Sequence, residues 1–198
     1  MTEEPTTRQR IRREAAALFR EKGFNGSSMA DLAGEVGMTK SSLYHHFPSK
    51  QALLSEIIEL TVSRVTPLME EIIAMDLPID ERLRRAVILH TVEGIRDQDA
   101  LACFVEEGRF LEPEFMAAHV AKRDKYEALF RTLFEEGAAA GVFVNHDLGI
   151  AVRAVLGMCN SVVRWYRPGG PRSPDEIAAL FADYALRGAM KHELSVLD

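Results

Sequence analysis

Apolar residues recur every three or four positions along nearly the whole of the 198-residue chain, and no useful window alternates as a half-buried strand would. That periodicity confines the chain to an all-α fold of about nine helices, each burying one face against its neighbours. A first helix is expected from about Thr7 to Lys22, with Ile11, Ala15, Leu18 and Phe19 as its inner stripe and Gly23 as its stop. Ser28 to Asp31 spells a capping box for a short second helix that Gly37 ends; Thr39 can cap a third, closed by Pro48. Ser49 caps a longer helix from Lys50 to about Met75, which Pro67 should kink or split. Further helices are expected from Asp80, over roughly Ala100 to Arg109, from Pro113 to Ala140, in one piece from Leu148 to Tyr166, and from Pro174 to about Lys191.

Composition narrows the function classes. Cys103 and Cys159 are the only cysteines and stand far apart, which gives no disulfide framework or zinc spacing and suits a reducing cytoplasm. No run of about 18 uncharged apolar residues exists to span a bilayer, and the opening MTEEPTTRQR lacks the apolar stretch of a signal peptide, so neither a membrane nor an exported location is expected. His90, His119 and His146 have no partner at metal-site spacing, and no GxSxG, HExxH or glycine-rich phosphate loop occurs. The chain is therefore expected to be neither an enzyme nor a cofactor or metal carrier. The formal charge of −6 argues against a polyanionic partner only as an average. Residues 1–50 hold eight basic against six acidic side chains, while the remainder holds 16 against 24. A mildly basic head on an acidic body directs the search for a nucleic-acid module to the head.

Residues 28–50, SMADLAGEVGMTKSSLYHHFPSK, have the layout of a helix-turn-helix, with two short helices joined by Gly37-Met38-Thr39. Leu43 and Phe47, four apart, can face inward with Leu32 and Val36, which leaves Lys40, Ser41, Tyr44 and His45 outward. Those side chains suit phosphates and base edges in a major groove, and Lys50 is placed to hold a phosphate. The same pattern read blandly is a solvated helix pair.

The wording decides between these readings. Ala16, Leu18-Phe19, Gly23-Phe24, Ser28-Met29, Asp31-Leu32-Ala33, Val36-Gly37 and Leu43-Tyr44-His45-His46-Phe47-Pro48-Ser49-Lys50 closely resemble the DNA-binding head of the TetR family of bacterial transcriptional repressors. The resemblance implies a homodimer that binds palindromic operator DNA and releases it when a small effector binds. Carried over by position, it implies recognition contacts from Lys40, Ser41, Ser42, Tyr44 and His45, with Thr39 at the helix start, and phosphate contacts from Ser28 and Lys50. Ala30 departs from relatives that place a long polar side chain there, so base reading should rest on the recognition helix. The head is expected over 1–50, with a ligand-binding and dimerisation domain over 51–198.

Beyond the head, Val163 to Pro171 (VRWYRPGGP) is similar to the acyl-CoA-responsive subgroup of that family. The segment can equally be kept for structure, as a helix end packed by Trp165 and Tyr166 and closed by a turn. Polar residues on apolar stripes mark a candidate pocket: Arg123 and Glu127 among Met116, Val120, Phe130 and Phe134, and Asn160 and Arg164 with Arg153 and Leu156. Either they pair at the surface or they line a cavity. Arg109 and Arg164 are the expected partners of an anionic ligand, with Trp165 beside them. A homodimer seam is expected from the last two helices, through Val152, Val155, Cys159 and Val162 on one and Ile177, Leu180, Phe181, Tyr184 and Ala185 on the other. The alternatives are a regulator of drug efflux that senses lipophilic compounds, and a helical small-molecule carrier that binds no DNA.

Overall fold

Local capping signals set the ends of the first three helices. In a computed structural model that describes residues 6–145 and 147–190, α1 (Thr7–Lys22) begins on a reciprocal box between Thr6 and Gln9 and stops at Gly23, whose φ of +74° the glycine permits. The capping box of Ser28 and Asp31 opens α2 (Met29–Glu35), and Gly37 at φ +66° turns the chain into α3 (Lys40–His46), where Thr39 Oγ1 accepts from Ser42 N–H at 3.1 Å. Ser49 then caps α4 (Lys50–Ile73) through Ala52 N–H. Pro67 does not split α4, which runs through it as a single helix. His146 and the expected helix end at Lys191 lie outside the described residues.

The chain divides into two packing units. The first joins residues up to Arg64 with Asp97–Arg123. Its core is built from Phe19, Leu32, Leu43, Phe47, Leu53 and Leu54, all essentially inaccessible, and it recruits Ala100, Cys103 and Leu111 from the later segment. That later segment is less regular than the single helix expected there. Following α6 (Gln98–Ala102) come a π-helical turn (Cys103–Glu107) and a 3-10 turn (Gly108–Phe110), before α7 (Pro113–Ala139) begins.

The second unit comprises Val65–Arg96 and the residues from Asp124 onward. Here α5 (Ile79–Arg96) packs chiefly on α10 (Pro174–Ala189), and also on α8 (Leu148–Asn160) and the single turn α9 (Val162–Trp165). The one helix expected from Leu148 to Tyr166 is thus interrupted at Ser161, whose hydroxyl bonds back to Met158 O at 2.7 Å. Gly137 lets α7 approach the following turn: a Cβ there would lie 2.0 Å from the ring of Phe143, which is itself fully buried. Among the described residues there is no strand, only an isolated bridge between Phe143 and Met190. The all-α architecture stands.

Candidate nucleic-acid interface and effector cavity

The two-sided character of α3 is what its spacing dictates. Leu43 and Phe47 are completely buried, while Lys40, Ser41, Tyr44 and His45 are exposed and Ser42 is half-buried. Tyr44 is 42% exposed, and the Lys40 ammonium lies 6.0 Å from the centre of its ring. The helix therefore offers a cation, two hydroxyls and an imidazole on one outer face. Thr39 and Ser28 are exposed, but each hydroxyl already serves a helix N-terminus. Ser28 also donates to Asp31 Oδ2 at 2.6 Å, and this bond is the main reason that the Asp31 carboxyl sits below its ordinary pKa.

Lys50, expected to hold a phosphate, is engaged elsewhere in this structure. Its ammonium turns inward, donating to Phe24 O at 2.6 Å and Ser27 O at 2.7 Å, and lies 4.1 Å over the Phe24 ring. Burial pushes its pKa down. Two of its three hydrogens are thus spent on the corner between α1 and α2, so the side chain acts as an internal strut in this structure.

Sequence reasoning also missed what holds α3 in place. Glu56 on α4 accepts from Arg8 Nε at 2.8 Å and from Arg12 Nη1 at 2.6 Å, and Arg8 donates to His46 O at 2.7 Å while lying over the Phe47 ring at 4.2 Å. Gln51 donates to Phe110 O at 2.9 Å and accepts from Glu112 N–H at 3.1 Å. Three of the basic side chains that make the head positive, Arg8, Arg12 and Lys50, are in this way engaged internally.

The expected effector residues divide between the two units. Arg109 and Arg123 belong to the first unit, and Glu127, Asn160, Arg164 and Trp165 to the second. Arg109 is exposed, its guanidinium 4.8 Å over Phe110. Arg123 falls on the apolar stripe of α7 by spacing, yet its side chain is exposed, and the buried face is Tyr126, Phe130, Leu133, Phe134 and Gly137. Glu127 is half-buried and pairs with Arg131 at 3.6 Å. Asn160 Oδ1 lies 3.0 Å from His90 Nε2, while His90 Nδ1 lies 3.0 Å from the buried Tyr126 hydroxyl. With the amide oxygen as acceptor, Nε2 carries the hydrogen and Nδ1 accepts from the phenol, and burial keeps the imidazole pKa low. Arg164 is exposed.

Of the six, Trp165 lines a cavity of about 330 Å³ in the second unit, together with Tyr166, Arg167, Arg172, Phe181 and Tyr184. Its indole N–H donates to Ser161 Oγ at 3.0 Å, and its ring meets Phe181 edge-on at 6.1 Å. The arginines beside this cavity are Arg167 and Arg172 rather than Arg164 or Arg109. A second cavity of about 210 Å³ is lined mostly by apolar side chains, Phe134, Val144, Ala151, Met158 and Ala185, with Asp147 on its wall.

The expected seam residues Val152, Val155, Cys159, Val162, Ile177 and Ala185 are buried within the chain itself. Of the expected seam, Tyr184 stays outward and Leu180 and Phe181 are half-buried; Ile150, Trp165 and Met190 are the other exposed apolar side chains nearby in sequence. Leu148–Trp165 is, by length and composition, apolar enough to cross a membrane, but its apolar residues Val152, Cys159 and Val162 are inside the unit and Arg153 and Arg164 stand on its exposed side. Burial pushes both thiols up, Cys159 to about 11, which leaves them poor nucleophiles.

Comparison with known proteins bears on both units. Residues 11–57 match the family model of bacterial regulatory proteins of the tetR family, and residues 76–189 match that of the tetracyclin repressor-like C-terminal domain. The chain is 29% identical over 177 residues to the HTH-type transcriptional repressor KstR2 of Rhodococcus jostii, covering 88% of this chain and 86% of that one. The crystal structure of PfmR, a TetR family transcriptional regulator from Thermus thermophilus, superposes with a TM-score of 0.83 at 36% identity, covering 90% and 98% of the two chains. AibR, solved in complex with isovaleryl coenzyme A and operator DNA, shares the fold with a TM-score of 0.80 at 24% identity, over 89% of this chain and 96% of its own.

Proposed function

Because this chain belongs to the TetR family of bacterial regulatory proteins, we propose that it is a cytoplasmic transcriptional repressor that binds an inverted-repeat operator as a homodimer and releases it when a small effector binds. The observation that carries the reading is the outer face of α3, where Lys40, Ser41, Tyr44 and His45 stand exposed above a fully buried Leu43 and Phe47. Two such helices enter successive major grooves roughly 34–36 Å apart. Ser28, Thr39 and Ser42 flank that face, and residues 1–50 supply the DNA-reading part of the first unit. The dimer seam uses the apolar side chains left outward near the ends of α8 to α10, Ile150, Tyr184 and Met190. The relatives are regulators, which speaks against an enzyme or a passive carrier.

The effector is an acyl-CoA thioester. In support, Trp165 and Tyr166 offer aromatic surfaces beside Arg167 and Arg172, a combination suited to a ligand with a planar base and phosphates. AibR, which shares the fold, was solved with isovaleryl coenzyme A and operator DNA together. The effector must bind the released conformer more tightly, by about 1–3 kcal/mol of coupling. The mostly apolar 210 Å³ cavity, with Asp147 on its wall, favours a second reading, a sensor of lipophilic drugs.

The test is a mobility-shift assay on an inverted repeat recovered from a random-sequence pool. Wild type should shift it in a salt-sensitive way and Tyr44→Ala should not; no shift with any sequence sinks the repressor reading. A panel of acyl-CoA thioesters should release the DNA and change the fluorescence of Trp165, the only tryptophan, while free CoA and free acids act weakly. Release by lipophilic cations instead would select the second reading.

A further inference from the structure

The corner between α1 and α2 aims the helix-turn-helix, and it is held by residues far away in the chain. Arg20 Nη1 pairs with Asp99 Oδ1 at 2.7 Å, the Phe24 N–H donates to Glu107 Oε2 at 2.8 Å, and the Phe24 ring stacks on Phe110 at 6.4 Å. Every one of these partners lies between Asp99 and Phe110. Of them, Glu107 alone takes a backbone group of the corner. It is the last residue of the π-helical turn, it is buried, and the adjoining Gly108 is tightly packed, since a Cβ there would lie 3.3 Å from His119 Nε2.

We infer that Glu107 is a positioning residue for DNA binding, whose carboxylate fixes the Phe24 backbone and with it the orientation of α2 and α3. The inference rests on the operator-binding reading above. Phe24 is buried, so its N–H has no water to turn to, and losing the carboxylate leaves an orphan donor at the joint. The same residue is held from its other end, where Lys50 takes the Phe24 carbonyl. An anionic and a cationic side chain therefore grip one residue's backbone from segments distant in sequence. The π register is what brings Glu107 there. With one residue fewer in that turn, a carboxylate at this point would be rotated by about 100°, outside hydrogen-bonding range of Phe24.

The test compares full-length wild type with Glu107→Gln, Glu107→Asp and Glu107→Ala, reading amide hydrogen exchange at Phe24, the thermal midpoint, and affinity for an inverted repeat selected by wild type from a random pool. Gln keeps an acceptor at the same reach and should hold both Phe24 protection and affinity within about threefold. Asp is one methylene too short; it and Ala should lose at least about tenfold in Phe24 protection and about tenfold in affinity. If Ala does not fold, the Asp and Gln pair decides. Unchanged Phe24 exchange in Asp, or Gln as impaired as Asp, overturns the inference. A wild type that binds no repeat overturns the operator reading and the positioning role with it, whereas loss of DNA binding confined to Asp and Ala, measured well below every variant's thermal midpoint, supports both.

Discussion

The ammonium of Lys50 lies 4.1 Å over the ring of Phe24 and donates to that residue's carbonyl oxygen at 2.6 Å. A lysine at the start of a helix beside a DNA-reading face reads as a phosphate clamp, yet the carbonyls of Phe24 and Ser27 hold it inside. The two roles give opposite experimental signatures. A phosphate contact contributes about one unit to the slope of log affinity against log salt, and little to stability. An internal strut does the reverse, because its removal takes the donor from the buried Ser27 carbonyl at a cost of about 1–3 kcal/mol, while Phe24 O keeps the Ser27 hydroxyl at 3.0 Å. Lys50→Met is therefore expected to lower unfolding stability by that amount while the salt slope of operator binding stays within experimental error of wild type. A drop of one unit in the slope at unchanged stability would restore the phosphate role.

Glu56 gives the head a pH-dependent stability. Hydrogen bonds from Arg8 first, and then from Arg12, hold its carboxyl below the ordinary range, against the opposing effect of burial. A depressed carboxylate contributes stability that is fully present above its unfolded value of about 4.3 and is lost as pH falls through the folded value. Wild type should accordingly lose stability more steeply than Glu56→Gln below about pH 4.5. Arg8 is 45% exposed, so solvent screening keeps the variant's loss at neutral pH to about 0.5–1 kcal/mol. Chemical denaturation at a series of pH values checks both; parallel curves would remove Glu56 from the account.

These two side chains mark where sequence reading stops. The capping boxes at Ser28 and Ser173, the stops at Gly23 and Gly37 and the two faces of α3 follow from neighbours within a few residues, so spacing alone reveals them. Lys50, Glu56 and Glu107 take partners 23 to 83 residues away, and no local pattern encodes those meetings. Pocket residues fail for a related reason. Arg123 sits on an apolar stripe by spacing, but spacing gives direction and not cover, and the side chain is exposed. Likewise Val152, Val155 and Cys159 look surplus to one chain because α5, against which α8 packs, is invisible to a single-helix pattern. Ala100 to Arg109 reads as one helix, since a π turn differs from an α turn by a single residue.

Gly137 is a close-approach glycine whose need arises from packing rather than from backbone angle. A methyl group there would stand 2.0 Å from the Phe143 ring, which is 1% exposed and cannot swing into solvent. Gly137→Ala should cost about 1–3 kcal/mol through overpacking. Gly34 on α2 makes the contrast, because a Cβ there meets nothing within 4 Å, and Gly34→Ala should gain about 0.5–1 kcal/mol from helix propensity. Thermal unfolding of the pair should shift in opposite directions. A tolerated alanine at 137 would mean that the turn carrying Phe143 yields without loss.

His90 makes the second unit sensitive to acid. Its imidazole packs on both Tyr126 and Phe130, with ring centres at 5.6 Å and 5.8 Å, and both nitrogens are engaged, by Tyr126 and Asn160. Burial is the main cause of its lowered pKa, and the bond to Asn160 opposes it. A base that protonates more readily unfolded than folded contributes stability above its unfolded value of about 6.5 and loses it as pH falls below that value. Protonation would also end the acceptance of the Tyr126 hydroxyl, whose own pKa burial pushes up, so the phenol stays a donor throughout. Wild type should lose up to about 1.4 kcal/mol per pH unit as pH falls below about 6.5 until the folded state begins to protonate. His90→Gln, which cannot take that proton, should be less stable at about pH 7.5 yet nearly flat from there to about pH 5.5, measured by urea denaturation. A variant that keeps the wild-type slope would assign the acid sensitivity to another group.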